Sequence, residues 1–166
     1  MAAADPFYAP GSGLTPQAAD GGKFLSYADL KAQKPLYEHR DATREIELRL
    51  TGNMERYIWS INDVKYSDAE PIRLRYGERV RFKFVNETMM THPMHLHGQF
   101  FQVVARNGTP VDEPFFRDTV LIKRQDTVDI ALVPTDWGRW MLHCHILEHA
   151  EAGMMALVEV GQGAAH

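Results

Sequence analysis

The stretch His143-Cys144-His145-Ile146-Leu147-Glu148-His149, followed by Gly153 and Met154, contains the single cysteine of the chain and three of its histidines. A soft thiolate, imidazoles and one distant thioether are the donors of a blue-copper site, in which two His and one Cys lie near a plane and Met lies far out on the axis. The stretch therefore predicts a copper site whose second imidazole comes from elsewhere in the chain.

A second histidine cluster, His92-Pro93-Met94-His95-Leu96-His97-Gly98, lies about fifty residues upstream. Side chains alternate between the two faces of an extended strand. His143 and His145 would thus lie on one face and Cys144 on the other, while His95 and His97 share a face. Two such strands side by side would offer four imidazoles to a copper cluster, so that one strand serves two metal sites.

Each of these residues also has a simpler interpretation. A lone buried His or Cys usually belongs to the core, and a pair such as Met154-Met155 usually fills space between packed side chains. Gly98 and Gly153 fit either ordinary turns or points where the backbone passes close to a neighbour. Ligand type, spacing and alternation agree across the whole set, which favours metal binding.

The two segments resemble the last cupredoxin domain of multicopper oxidases, the laccase and copper-resistance oxidase group. The pattern of that domain is H-P-x-H-x-H-G and later H-C-H-x-x-x-H-x-x-x-x-M, and this chain contains both parts intact. The segments 50–57 and 76–80 look like the periplasmic copper-resistance branch in particular. The resemblance implies type 1 copper ligands at His92, Cys144, His149 and Met154, and ligands of a trinuclear type 2/type 3 cluster at His95, His97, His143 and His145.

The resemblance also implies an electron path. A reductant would give single electrons along the exposed edge of His149, and Cys144 would pass them through the backbone to His143 and His145. Asp118 resembles a position near the type 1 site, where a carboxylate can accept an imidazole N–H and fix a ligand. A surface aspartate at the start of a strand is the alternative.

Apolar residues recur with a period of two from Arg44 onward, with turn signals such as Asn62-Asp63, Gly77-Glu78 and Asn107-Gly108 between the runs. Many short strands and almost no helical period predict an all-β, antiparallel sandwich. The resemblance implies its cupredoxin-like Greek-key form, and a stretch rich in Gly, Pro, Ala and Ser predicts an extended N-terminal arm. We expect an arm or linker over residues 1–40, one cupredoxin domain over 41–161 and a tail over 162–166.

Composition excludes several classes of protein. The net charge is −4 with acidic and basic residues interspersed, which argues against a nucleic-acid or anionic-membrane surface. One cysteine excludes an intramolecular disulfide. No apolar run approaches the ~20 residues of a membrane span. The segment 1–6 lacks the regions of a signal peptide, so the periplasmic or secreted location that the resemblance implies would require a signal absent from this sequence.

The family's cluster uses two further His-x-His pairs from a first domain that this chain does not contain. The remaining histidines, His39 and His166, cannot replace four ligands. We therefore expect a homo-oligomer in which copper lies between subunits.

Two function classes follow. The first is a laccase-like oxidase that takes electrons from phenols, aromatic amines or cuprous ion and reduces dioxygen. The alternative is a single-domain blue-copper electron-transfer or copper-binding protein without oxidase activity. A nitrite reductase fits less well, because that resemblance lacks the second His of His-Cys-His.

Overall fold

A computed structural model describes residues 29–34 and 40–161. The chain divides into a unit of Met1–Lys31 and a unit of Ala32–His166, and every element below belongs to the second unit. Most of the predicted arm over residues 1–40, including His39, and the whole predicted tail over 162–166 lie outside the described residues.

Eleven strands form two sheets within the described residues. The first sheet has the strand order β2-β1-β4-β9-β6-β7. Its members are β1 (Arg44–Asn53), β2 (Ile58–Ile61), β4 (Val80–Asn86), β6 (Phe101–Arg106), β7 (Thr109–Pro110) and β9 (Thr127–Leu132).

The second sheet has the order β3-β11-β10-β5-β8. Its members are β3 (Ile72–Arg75), β5 (His92–Leu96), β8 (Thr119–Ile122), β10 (Gly138–Cys144) and β11 (Met155–Gly161). Two short helices interrupt the strands, a 3-10 helix at Tyr66–Asp68 and α1 at Leu147–Glu151. The predicted all-β sandwich is thereby confirmed.

The expectation that all strands pair antiparallel is wrong for two of the nine pairings. β1 pairs with β4, and β3 with β11, in parallel. Parallel neighbours need a crossover connection rather than a hairpin. The chain provides one between β1 and β4, since β2 turns back beside β1 and β3 then joins the other sheet. Residue periodicity identifies strands but not the direction of their partners.

The alternating sequence pattern places one face of each strand in the core. In β4, Val80, Phe82 and Phe84 are buried, whereas the residues between them are half-buried. Met94 and Leu96 of β5 are equally enclosed on the opposite sheet. Burying a side chain of this size contributes about 1.5–3 kcal/mol relative to leaving it exposed, so packing between the sheets is the main source of stability.

No helix among the described residues is long and apolar enough to cross a membrane. The regular structure of this part of the chain is a sandwich with its largest fully buried side chains between the sheets.

The turn after β5 depends on a glycine. Gly98 has φ +63, and a Cβ on it would lie 2.1 Å from Cε3 of Trp140. The indole of Trp140 thus occupies the space that a side chain at position 98 would need. Both requirements, positive φ and close approach, apply at this position, and they fix the backbone directly after His97.

We predict that Gly98→Ala lowers the free energy of unfolding of the copper-free protein by about 2–5 kcal/mol. The left-handed backbone costs about 1–2 kcal/mol for a residue with a Cβ, and overpacking against the indole adds about 1–3 kcal/mol. Gly77→Ala is the matched control, because Gly77 has φ +75 but a Cβ added there would meet nothing within 4 Å. Denaturant unfolding measures both; equal losses would contradict the packing role of Trp140.

Candidate metal centre

Three buried side chains bring their donor atoms together at one end of the sandwich. Cys144 Sγ lies 3.6 Å from His92 Nδ1 and 3.7 Å from His149 Nδ1, and the two Nδ1 atoms are 3.2 Å apart. All three donor atoms lie within 4.8 Å of one another. One thiolate and two imidazoles are the equatorial donor set of a type 1 copper site, so the residues fit this metal.

These donors come from different parts of the chain. His92 opens β5 and Cys144 ends β10, whereas His149 lies in α1. Only His145 and Ile146 separate the end of β10 from the start of helix α1. The first turn of α1 is closed by hydrogen bonds from the backbone N–H groups of His149 and Ala150 to the carbonyl of Ile146. This turn returns the chain toward Cys144 and places His149 beside it.

Met154 is fully buried and is tied to the same group through its backbone. Its carbonyl accepts the N–H of Cys144 at 3.1 Å, and its N–H donates to the carbonyl of His149 at 2.9 Å. The preceding Gly153 has φ +120, and a Cβ there would lie 2.7 Å from the carbonyl oxygen of Trp59. A glycine is therefore required for the loop to bring Met154 back to the site.

A threonine that the sequence pattern does not single out orients His92. Thr88 Oγ1 lies 2.6 Å from His92 Nε2, and both residues are buried. With Nδ1 facing the cysteine, the Nε2–H donates to this hydroxyl, which in turn donates to Asn86 Oδ1 at 2.8 Å. Such contacts fix the tautomer and orientation of a metal ligand. A threonine four residues before a histidine has no distinctive sequence signal.

Trp59 and Tyr57, to which the sequence pattern assigns no role at the site, enclose His149. The indole of Trp59 stacks on the imidazole at 4.1 Å between ring centroids and 27° between planes. The ring of Tyr57 approaches from the edge at 6.3 Å. His149 is consequently only 2% exposed. The expectation of an exposed His149 edge is therefore wrong for this structure, because these rings cover it.

Burial sets the protonation of the three donors. It lowers the pKa of His92 to about 4, with a smaller contribution from the neighbouring His149. Burial also lowers the pKa of His149, an effect that Glu148 partly opposes. The imidazoles are thus neutral and have a lone pair to offer. Burial raises the pKa of the Cys144 thiol to about 11, so copper binding as thiolate displaces a proton.

The second group consists of four imidazoles on the other face of the same strands. His143 pairs directly with His95 across β10 and β5. The backbone N–H of His97 donates to the carbonyl of Met141, and the backbone N–H of His145 donates to the carbonyl of Pro93. These two bonds extend the pairing of β5 with β10 beyond the ends of the paired residues. Neighbouring rings within this four-histidine face are 4.7–5.8 Å apart between centroids: His95, His97, His143 and His145.

Backbone carbonyls orient two of these rings. His143 Nδ1–H donates to the carbonyl of Cys144 at 2.8 Å, and His95 Nδ1 lies 2.9 Å from both the carbonyl of Asp118 and the hydroxyl of Thr119. The opposite nitrogens remain available as ligands, and Nε2 of His143 lies 3.0 Å from Nε2 of His97. Partial desolvation of its ring and the three neighbouring histidines lower the pKa of His97, which favours its neutral, metal-binding form.

Asp118 lies at the four-histidine face and not beside the cysteine. Its carboxylate accepts the hydroxyl of Thr119 at 2.9 Å and is 3.9 Å from His95 Nδ1. The side chain is 55% exposed. The structure thus replaces the expected contact with a type 1 ligand by a contact with His95, made through the backbone carbonyl. The family resemblance identifies Asp118 by its position along the chain, but it does not show which side chains lie beside it.

Comparison with known proteins identifies the family of the chain. The family described as Multicopper oxidase matches residues 39–164. The chain is 41% identical to copper resistance protein A of Escherichia coli in an alignment 159 residues long that covers 91% of this chain and 24% of that protein. It is 38% identical to the multicopper oxidase MmcO of Mycobacterium tuberculosis over 114 residues, covering 69% of this chain and 22% of the other. The chain thus spans about a quarter of the length of these relatives.

Solved structures show the same fold. The McoA multicopper oxidase from the hyperthermophile Aquifex aeolicus matches with a TM-score of 0.64 and 31% identity over 73% of this chain and 30% of that one. The laccase from Pediococcus acidilactici matches with a TM-score of 0.70 and 28% identity over 79% and 30%. These likenesses confirm the cupredoxin-like form and copper as the cofactor. The chain belongs to the multicopper oxidase family.

Proposed function

We propose that this chain forms a laccase-like copper oxidase that couples one-electron oxidation of phenolic substrates or cuprous ion to reduction of dioxygen. The observation that carries the proposal is the position of Cys144 between two sets of imidazoles. Its side chain faces His92 and His149, and its carbonyl accepts the Nδ1–H of His143 at 2.8 Å. One residue therefore links a site that takes up electrons to a site that uses them.

The residues divide into two roles. His92, Cys144 and His149 would hold type 1 copper, with Met154 as a weak additional donor that would tune the potential. His95, His97, His143 and His145 would hold part of a type 2/type 3 cluster. Copper in these places would supply one-electron transfer and the four-electron reduction of dioxygen to water. Around Cys144 the protein supplies two neutral imidazoles, an apolar enclosure and fixed ligand orientations.

A second copy of the chain would complete the cluster. The four histidines lie on a face with solvent access, because His97 and His145 are exposed and His95 is half-buried. Two such faces brought together would double the number of imidazoles without any new residue. Metal bound only by the assembled state would stabilise the assembly by mass action. We accordingly propose a homo-oligomer with copper between subunits, located in the periplasm or outside the cell as the resemblance implies.

One observation favours the alternative, a single-copper electron-transfer protein without oxidase activity. His92, Cys144 and His149 all belong to one chain, so this donor set is complete without a partner. The four-histidine face, in contrast, contains only half of the imidazoles that the family's trinuclear cluster uses. Dioxygen uptake with a phenolic substrate, measured with copper content per chain and particle mass, separates the two functions. Oxygen uptake by an oligomer carrying more than one copper per chain supports the oxidase.

Cys144→Ser should abolish the intense visible absorption of the copper-loaded protein. That band arises from thiolate-to-copper(II) charge transfer, and a hydroxyl is a poor soft ligand. The fold and copper at the four-histidine face should remain. His145→Ala is the matched control, since it changes the adjacent residue on the other face and should keep the band. A full blue band in Cys144→Ser would overturn the ligand assignment.

Met154→Leu should raise the reduction potential of the type 1 site while the blue colour remains. The substitution removes a weak donor and makes the site more apolar, and both changes favour copper(I). Because the two side chains have similar volumes, the free energy of unfolding should change by less than about 1.5 kcal/mol. Redox titration of the blue band measures the potential. An unchanged potential, or complete loss of type 1 copper, would count against axial ligation by Met154.

The double substitution His95→Ala with His97→Ala should abolish dioxygen reduction and keep the blue band. Neither residue is among the donors around Cys144, so type 1 copper is an internal control. Mixing this variant with Cys144→Ser tests subunit sharing, because each variant has the part that the other lacks. Full oxidase activity in the double variant, or in a wild-type monomer, would contradict a cluster between subunits.

A further inference from the structure

His149 offers almost no surface for direct contact with a reductant. It is 2% exposed, with the indole of Trp59 stacked on one side of its ring and the edge of Tyr57 on another. Trp59 is itself 1% exposed. A molecule that delivers electrons to His149 must therefore do so beside or through the rings that cover it.

Tyr57 is the member of this group that reaches solvent. Half of its surface is exposed, yet its ring lies 6.1 Å from Trp59 at an interplanar angle of 88° and 6.3 Å from His149 at 61°. Both arrangements are edge-to-face contacts of the kind that aromatic rings favour. The three rings form a continuous path of aromatic contacts from solvent to a copper ligand.

The β1–β2 hairpin holds Tyr57 in this place despite an unfavourable backbone. Tyr57 has φ +48, an uncommon conformation for a bulky residue. Asn53 Oδ1 accepts the N–H groups of Glu55 and Arg56 and shapes the turn, and Asn53 pairs with Ile58 at the base of the hairpin. Strained conformations of this kind persist where the surrounding structure determines them, and they cluster at ligand contacts.

The charges beside Tyr57 favour a neutral partner. Glu55 and Arg56 are exposed neighbours of opposite sign, so the tip of the hairpin has no net charge to attract an ionic reductant. Met54, which is 60% exposed, extends the apolar surface. An uncharged aromatic ring can stack on the exposed part of Tyr57.

We propose that Tyr57 is the residue on which an aromatic one-electron reductant docks to reach the type 1 site. The inference rests on the proposed function, and it names the contact that the substrate uses. In the step that it serves, a phenol loses one electron and one proton. The electron reduces copper(II) held by the donors around Cys144 to copper(I), the proton passes to solvent, and Tyr57 is unchanged.

The test compares Tyr57→Ala and Tyr57→Phe in copper-loaded protein without oxygen. Bleaching of the blue band is followed with a limiting amount of 2,6-dimethoxyphenol and, separately, of hexaammineruthenium(II), which has no aromatic ring to stack. Tyr57→Ala should slow reduction by the phenol about threefold to tenfold, the equivalent of one lost aromatic contact. Reduction by the ruthenium complex should be as fast as in wild type or faster. Tyr57→Phe keeps the ring and should react as wild type does.

Tyr76→Ala is the matched control. Tyr76 is also a half-exposed tyrosine beside a tryptophan, and its ring stacks on Trp137 at 4.5 Å. In the described part of the chain, its ring contact is not with a copper ligand. Its removal should leave both reduction rates unchanged.

A copper-free measurement tests the covering role of Tyr57 independently of redox activity. Diethyl pyrocarbonate modifies accessible neutral imidazoles, and peptide mass mapping identifies the modified residue. His149 should react faster in Tyr57→Ala than in wild type, Tyr57→Phe or Tyr76→Ala. Equal reaction of His149 in all four proteins would overturn the covering role.

The outcomes separate this inference from the proposed function. If the phenol reduces wild type and Tyr57→Ala at the same rate, the docking role of Tyr57 is wrong and the oxidase proposal stands. If Tyr57→Ala shifts the blue band or slows reduction by both reductants, Tyr57 acts through site structure, and the docking role is again wrong. A wild-type protein that never becomes blue, or that phenol does not reduce, overturns both.

Discussion

The pairing of β10 with β5 is the constraint on which both histidine groups depend. Its register sets Cys144 opposite Met94 and His143 opposite His95. Because side chains alternate strictly along a strand, a shift of one residue would move the thiol to the outer face and an imidazole into the core. Leu142 opposite Leu96 opposes such a shift, since both are buried in the apolar interior. Hydrophobic packing thus fixes the separation of the two groups.

The enclosure of His92, Cys144 and His149, here called the cysteine group, has two consequences. Burial keeps His92 and His149 neutral and discourages ionisation of Cys144 until a metal replaces the thiol proton. The same enclosure lets Thr88 and Trp59 fix the rings of His92 and His149, because neither contact competes with water. Ligand orientation is therefore established by packing and hydrogen bonds among the protein's own groups, and the metal completes an arrangement that already exists.

Sequence periodicity predicted the strands, and donor types predicted the residues that meet. Alternation in β4 and in the His-Cys-His segment follows from local geometry and needs no knowledge of the rest of the chain. Three features could not be obtained this way. The parallel pairs depend on which sheet β3 joins, the neighbour of Asp118 depends on how β8 lies beside β5, and the covering of His149 depends on a hairpin some ninety residues upstream. Each of these three features is a tertiary contact, and the sequences of the two segments that form it do not indicate it.

The two histidine groups differ in how their ligands are held, and this bears on what each can do alone. The donors around Cys144 converge from three elements of one sandwich, so that their geometry is as stable as the fold. The four-histidine face has its rings on one surface of two adjacent strands, and only protein atoms on one side hold them. A metal ion bound there would keep open positions toward solvent, which a second set of ligands could fill. Copper at the cysteine group should consequently stabilise folding of a single chain, whereas metal at the outer face should stabilise contact between chains, each in proportion to its own binding free energy.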